Sequence, residues 1–509
     1  MRPGRHVVLA AAEAVPFAKT GGLGDVIGAL ATALSEVGTT VSVVLPAYQH
    51  IDTAQHGFQR LDVRLQIPMG THHEPCGLWL GHLPDSAARA VLIDHPGFFH
   101  REGMYVDAAT DLEYADAAAR WVFFSQAVLA ALPHLGSPPD VLHLNDHHCA
   151  LAAAYRAVER GALAESLRHM AVVFGIHNLG YQGLYEAAEF ARTGLPDGWM
   201  APLGPLEFWG RMSAMKAGLV FADALTTVSP TYAMEIQSNA EFGFGLEGVL
   251  RARAADLFGI LNGIDTQVWD PGRDPLLPAR YDRLVMDGKP LCKQALQERV
   301  GLPVEPHTPL FGLISRLVEQ KGIDLLLDAL PALLESPLQI VLLGRGHPEL
   351  ETRLRAAADS RPERVAIHLG YDDTLAHWIE AGSDFFLMPS RYEPCGLNQM
   401  YSMRYGTVPV VRRTGGLADT VQDWDGNRGT GFVFGPATAT ALVASVHRAL
   451  DVYGDDAQMH ALRRTGMEQD FSWTRSASHY LEVYDRALAR RRDAGVMLPG
   501  GAATPRQGH

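Results

Sequence analysis

Lys19-Thr20-Gly21-Gly22-Leu23-Gly24-Asp25 joins a full positive charge to three glycines, where an apolar run ends and a helical pattern begins. Glycines allow a tight turn and close approach of a ligand to backbone N–H groups. A helix N-terminus adds the positive end of a dipole. That suits a diphosphate or a cluster of sugar hydroxyls. The spacing is neither GxGxxG nor GxxxxGK[ST], so it is no dinucleotide or Walker fingerprint. Residue types alone equally allow a plain glycine turn with an exposed lysine. A matching loop, Thr414-Gly415-Gly416-Leu417, lies in the second half, again between an apolar run and a helix.

Arg316 and Lys321 follow the apolar run Leu310–Ile314. Two cations at a strand's carboxyl end can stabilise charge developing on a leaving pyrophosphate, Arg as a fork and Lys as a point charge. The plain alternative is a solvated surface pair. Glu393, in Ser390-Arg391-Tyr392-Glu393-Pro394-Cys395-Gly396-Leu397, follows another strand. It is placed to bind sugar hydroxyls or an oxocarbenium charge, or simply to cap a helix. Asp146 and His177 each end a strand as well. His147 and His148 are adjacent, which should point their side chains apart. With no HExxH-type spacing, a metal site is not expected. Asp423-Trp424-Asp425 is a DxD triplet, but its polar Asp-Gly-Asn setting reads as a turn. There is no Gly-x-Ser-x-Gly elbow for a serine hydrolase.

Many short elements are needed to place these residues. Strands are expected near Val7–Ala12, Val41–Leu45, Val91–Asp94, Val141–Asn145, Ala171–His177 and Ala224–Val228. A second series covers Leu310–Ile314, Gln339–Leu343, Val365–Leu369, Phe385–Met388, Val408–Val411 and Gly431–Phe434. Several are continuous apolar runs, as buried parallel strands should be. Helical patterns separate them at Asp25–Val37, Ala115–Ala131, Ala150–Arg160, Ile323–Leu334 and Leu375–Ala381, and Thr474–Ala489 is a further helix. Gln66–Gly81 alternates and reads as an antiparallel insertion. Two βαβ series predict an α/β protein of two doubly wound domains. The Pro- and Asp-rich stretch Trp269–Lys289 reads as an inter-domain connection.

The 509 residues, 47% of them hydrophobic, can bury sizeable cores. A net charge of −14 argues against general nucleic-acid binding. Four scattered cysteines make neither a disulfide framework nor a thiolate zinc site, which fits a reducing cytoplasm. Arg2 and Arg5 before the apolar run Val7–Phe17 have the look of a secretory signal. Glu13 inside the run, and its direct passage into the glycine loop, argue against one. No stretch approaches the ~20 apolar residues of a membrane span.

Six ordered motifs together resemble the bacterial glycogen synthase and plant starch synthase family, from about Val7 to Trp473. They are KTGGLGDV at 19–26, FGIHNLGYQG at 174–183, TTVSPTYAMEI at 226–236, ILNGIDTQVWDP at 260–271, ISRLVEQKGIDL at 314–325, and MPSRYEPCGLNQMYSMRYGTVPVVRRTGGLADTV at 388–421. The resemblance implies a GT-B fold of two Rossmann-like domains facing across a deep cleft. Residues 1–258 would be the acceptor domain and 259–473 the nucleotide-sugar domain. A helix at 474–492 would cross back to the first domain, before a disordered tail at 493–509. The implied activity is transfer of glucose from ADP-glucose to the non-reducing 4-OH of an α-1,4-glucan such as glycogen, with retention and without metal or cofactor.

By the same resemblance, Arg316 and Lys321 match the pair on the distal phosphate and the transferred sugar. Glu393 orients the sugar beside Cys395 and Gly396. His177 lies near the 6-OH, and Asp146 is a sugar-site acid. Lys19, Gly21, Gly22, Asn262, Thr414 and Gly415 belong to the donor site, where Gly416 and Leu417 would present N–H groups. Tyr401 stands where related transferases carry the second Glu of Glu-x7-Glu, which favours ADP-glucose over UDP-glucose. The chain departs from the family pattern at Tyr392, Asn398, Cys149 and Arg345-Gly346-His347. A UDP-glucose-using synthase and an inactive glucan-binding scaffold are the alternatives.

Overall fold

A computed structural model describes residues 4–107, 110, 112–158 and 167–496. It divides into two compact units. One comprises Met1–Thr227, Ile236–Ile260 and the chain from Trp473 onward; the other comprises Val228–Glu235 and Leu261–Ser472.

The strands of the first unit are β1 (His6–Ala10), β2 (Thr40–Pro46), β3 (Gln59–Arg60), β4 (Leu65–Met69), β5 (His72–His82), β6 (Arg89–Asp94), β7 (Val141–Asn145), β8 (Ala171–Ile176), β9 (Leu184–Tyr185), β10 (Glu207–Phe208), β11 (Arg211–Ser213), β12 (Ala224–Thr227) and β13 (Leu257–Gly259). The main sheet runs β13-β12-β8-β7-β1-β2-β6-β5-β3, with β4 on β5. From β13 to β6 it is parallel. β1, β7 and β8 are buried along their whole length, which is why their sequences are mostly apolar rather than alternating, with His6, His143 and Asn145 as buried polar exceptions. β4 and β5 form the expected antiparallel insertion. Helix Trp473–Val496 packs within this unit. Tyr484 meets His143 of β7 at 3.0 Å, and Arg5 bonds Asp485.

The second unit holds β14 (Leu310–Leu317), β15 (Gln339–Gly346), β16 (Val365–Leu369), β17 (Phe385–Met388), β18 (Val408–Arg412) and β19 (Phe432–Phe434), a parallel sheet ordered β16-β15-β14-β17-β18-β19. One apolar cluster gathers around Phe311, Leu342 and Phe385 and another around Leu310, Val341 and Phe386. Neighbouring residues of one strand go to opposite faces, so the sheet is covered on both sides.

In both sheets the first strand in sequence lies in the interior. The order reverses beside it, between β1 and β7 and between β14 and β17. Ligands of open α/β sheets bind beyond the carboxyl ends of strands at such reversals.

Two expectations need correction, and one falls partly outside the described residues. Trp269–Lys289 is not an inter-domain connection. Trp269 stacks on His377 and Tyr401 at 4.0 and 3.9 Å, and Tyr281 and Asp274 are buried within the second unit. The Pro and Asp residues there shape packed turns. Of the tail expected at 493–509, residues 493–496 are helical, since the helix continues to Val496. Residues 497–509, and 159–160 of the helix expected at Ala150–Arg160, lie outside the described residues.

The second unit is pinned by a buried ionic knot. Asp384, just before β17, accepts from Lys293 Nζ at 2.7 Å, Arg463 at 2.6 Å and the Leu310 N–H at 3.0 Å. Removing the acid strands buried Lys293 and half-buried Arg463. Asp384→Ala should destabilise the unit by about 3–5 kcal/mol, read as a lower midpoint of its thermal transition by circular dichroism.

Candidate active-site residues

The first unit's residues gather at its order reversal. Glu13, just beyond β1, is 3% exposed. Its carboxylate accepts from the Thr20 N–H at 2.6 Å, the Thr20 hydroxyl at 2.8 Å, the Gly21 N–H at 3.2 Å and the Tyr105 hydroxyl at 2.6 Å. The glycine loop is therefore held from beneath by one buried acid. Tyr105 is placed in turn by Arg120, which is fully buried and donates to the Phe98 and Met104 carbonyls at 2.9 Å each. Helix Gly22–Glu36 starts directly after the loop. Lys19 Nζ pairs with Asp25 in its first turn at 2.8 Å and stays 43% exposed.

Asp146 follows β7 with a left-handed φ of 58°. Its carboxylate accepts the His177 N–H at 2.8 Å. Burial outweighs that bond and raises its pKa to about 7, with the nearby Glu13 charge adding to the rise. His177 Nε2 lies 2.9 Å from Asn145 Oδ1. The Asn145 amide nitrogen donates to the Ala10 and His143 carbonyls, which fixes its oxygen toward the ring. An amide oxygen only accepts, so the imidazole proton sits on Nε2 and Nδ1 is the acceptor. Burial lowers the His177 pKa to about 4, and the ring is neutral at pH 7.

The second unit's residues follow β14 and β17. Arg316 is exposed at the end of β14, in register with Arg345 of β15. Lys321 Nζ lies 2.8 and 2.6 Å from the two oxygens of Glu393, which is 4% exposed and also accepts from the Ser390 hydroxyl at 2.9 Å. Gly322 makes this pair possible. Its φ is 66°, and a Cβ there would stand 2.0 Å from the Pro389 carbonyl oxygen. Any other residue would push the turn after β14 off the loop after β17. Glu393 is thus an ion-pair partner rather than a helix cap; helix Asn398–Arg404 begins after Leu397.

The loop at 414–417 interlocks with the Glu393 loop. A Cβ on Gly415, whose φ is 42°, would lie 1.9 Å from the Glu393 carbonyl oxygen. The N–H of Gly416 donates to that carbonyl at 3.1 Å, and the N–H of Leu417 donates to Thr414 at 3.1 Å. The expectation that these two groups present themselves to a ligand is corrected: close packing engages them internally. Glu235 accepts from Thr414 Oγ1 at 2.9 Å and the Gly415 N–H at 3.1 Å. Ser229 donates to the Pro394 carbonyl at 2.8 Å. The Asn262 backbone bonds the Cys395 thiol, which burial pushes up to about 12. The Asn262 side-chain oxygen is buried with no hydrogen-bond partner among the described residues. Asn398 donates to the Ile314 carbonyl at 2.8 Å, tying its helix to β14.

Sequence reasoning assigned no role to Glu13, Tyr105 or Glu235. Glu13 carried a signal in its isolation inside an apolar run. Tyr105 lies 92 residues away and carried none. The adjacent His147 and His148 do not point apart. Their rings lie 3.8 Å from each other on the first helical turn, both buried. Asp423 accepts from the Val433 N–H and Arg448, and Asp425 from the Asn427 and Arg428 N–H groups, so the DxD triplet is structural.

Two parallel α/β units, each with a cationic or acidic cluster at its reversal, define a glycosyltransferase of the GT-B class. Residues 6–252 match the starch synthase catalytic domain, and 297–465 match glycosyl transferases group 1. The chain is 50% identical to a glycogen synthase of Anaeromyxobacter dehalogenans, over 95% of this chain and all of that one. It is 44% identical to the glycogen synthase of Myxococcus xanthus, with the same coverage. The catalytic domain of starch synthase IV from Arabidopsis thaliana, solved with ADP and acarbose, superposes with a TM-score of 0.87 at 34% identity, over 96% of this chain and all of that one. The chain belongs to the glycogen synthase and starch synthase family.

Asp146 also sets a pH dependence. Between about pH 4 and pH 7 the folded chain holds a proton there that the unfolded chain has lost, so this residue makes stability fall as pH rises through that window. Asp146→Asn should remove that component, and the melting temperature of the variant should decline less than that of the parent between about pH 5 and pH 8.

Proposed function

We propose that the chain transfers glucose from ADP-glucose to the non-reducing 4-OH of an α-1,4-glucan, glycogen in the cell, with retention of configuration. The observation that carries the reading is the Lys321–Glu393 pair beyond β14 and β17, with Arg316 of β14 bonded to Gln320, the neighbour of Lys321, at 3.3 Å, in a chain half-identical to a glycogen synthase. The cations bind the diphosphate and offset its charge as it leaves. Glu393 orients the sugar hydroxyls, and the buried oxygen of Asn262 is an acceptor for the donor. Neutral His177 and Asp146, whose pKa burial raises to about 7, suit uncharged hydroxyls, while the loop held by Glu13 suits the donor. The bond from the glucose C1 to the diphosphate oxygen breaks, a new bond from C1 to the acceptor O4 forms on the same face, and the acceptor hydroxyl's proton passes to the departing phosphate oxygen. A trapped glucosyl–Glu393 adduct would overturn that order of events.

The catalyst works in the cytoplasm on this reading, which its four buried free cysteines support. Among the described residues no helix is long and apolar enough to cross a membrane.

Labelled glucose offered as ADP-glucose should enter glycogen faster than label offered as UDP-glucose. Lys321→Ala and Glu393→Ala should each lower kcat by about a hundredfold or more. Preference for UDP-glucose would move the donor and keep the machinery, whereas no incorporation from either would sink the reading. Glu13→Gln puts an amide donor against the loop's own N–H groups. It should raise KM for ADP-glucose about tenfold while lowering kcat less, as initial rates at varied donor would show.

A further inference from the structure

Leu203, Trp209 and Phe244 share a backbone conformation that bulky side chains rarely adopt, with φ of 66°, 51° and 49°. They are three of the five non-glycine residues with positive φ among the described residues, and Asp146 is a fourth. The three are linked in space. Glu207 accepts from the Leu203 N–H at 3.1 Å and the Gly210 N–H at 2.8 Å, closing the turn between β10 and β11. Lys216 Nζ fastens the same turn through the Gly204 and Glu207 carbonyls at 2.8 and 2.5 Å. A Cβ on Gly245 would lie 2.8 Å from the Phe208 ring and 3.5 Å from Trp209 Nε1, so the Phe244–Gly245 segment rests on the turn.

This clamped backbone holds apolar groups in water. Trp209 is 85% exposed, Leu203 94% and Tyr181 51%. Exposed indole adds nothing to the core, and strained backbone persists where its surroundings over-determine it, commonly at ligand sites. The turn is tied through Phe244 to the loop after His177. Gln182 donates to the Phe244 carbonyl at 2.8 Å, and its neighbour Tyr181 lies four residues beyond His177 on the same loop. A flat aromatic face with hydrogen-bonding groups at its rim fits a pyranose ring, which shows C–H bonds on its faces and hydroxyls around its edge.

We propose that Trp209, with Tyr181 and Leu203, forms a platform on which an α-glucan chain lies, beyond the residue being extended. This rests on the glucan-synthase reading above. The test compares the full-length chain with Trp209→Ala and Trp209→Tyr. It uses native gels containing glycogen and initial rates at varied glycogen and ADP-glucose. Trp209→Ala should weaken retention by glycogen and raise KM for glycogen about tenfold, the loss of one stacked aromatic contact. KM for ADP-glucose should not move, and Trp209→Tyr should recover most of the affinity. Unchanged retention and unchanged KM for glycogen would overturn the platform. So would a Trp209→Ala chain with intact glycogen affinity that sediments as a smaller species, since the patch would then serve self-association. A parent chain that makes no glucan but still binds glycogen through Trp209 would defeat the synthase reading and leave the platform standing.

Discussion

Each sheet is built outward from its first strand. β1 lies between β7 and β2, and β14 between β17 and β15. A strand in that position is buried on both faces, which a largely apolar run tolerates best. VVLA of β1 and the LFGLI start of β14 are such runs. Once the first strand is interior, right-handed crossovers carry the chain to one side and later to the other. The loops leaving the two central strands diverge, and their backbone ends stand open at one edge. Glu13 and Asp146 occupy those ends in one sheet, and Lys321 and Glu393 in the other. Chemistry collects there because ligands of open α/β sheets bind beyond the carboxyl ends of strands where the order reverses.

The two sites hold polar groups in different ways. Beyond β7 and β8, burial lowers the His177 pKa to about 4 and raises that of Asp146 to about 7. Beyond β14 and β17, a cation meets an acid, Lys321 on Glu393. Neutral donors and acceptors match hydroxyl groups without demanding a counter-ion. Fixed cations match a diphosphate, which would otherwise have to shed hydration without replacement. The difference is set by backbone. Asp146 takes a left-handed turn that points its carboxylate at the His177 N–H, whereas Gly322 lets one loop approach another until an ammonium meets a carboxylate.

Elements that follow local physics were legible in the sequence. Val141–Asn145, Val365–Leu369 and Phe385–Met388 have the bounds their apolar runs predict. Lys321 and Glu393 were legible as residues but not as a pair, because 72 residues separate them. Tyr105 was invisible, since a tyrosine in a loop has no periodicity to betray its partner. Gly416 and Leu417 were misjudged for a reason of scale. A glycine loop looks the same whether a ligand or another stretch of backbone approaches it, and here the Glu393–Cys395 backbone does. Trp269–Lys289 was misjudged because Pro and Asp mark turns, and turns pack inside a unit as readily as they join two.

The ion pair also bears on how configuration is retained. A double displacement needs a carboxylate free to attack, with a second about 5 Å away in enzymes that use the pair. Both Glu393 oxygens are engaged, one by Lys321 alone and the other by Lys321 and Ser390. Cys395, two residues on, is held as a thiol and is a poor nucleophile in that form. A covalent route would ask Lys321 to release Glu393 just as the leaving diphosphate most needs a cation. The proposed same-face route asks less: Lys321 would shift its charge toward the phosphate, Glu393 would keep its bond to Ser390, and the phosphate oxygen that gains electrons would take the hydroxyl's proton. The arrangement of charge favours the path on which no group serves two purposes at once.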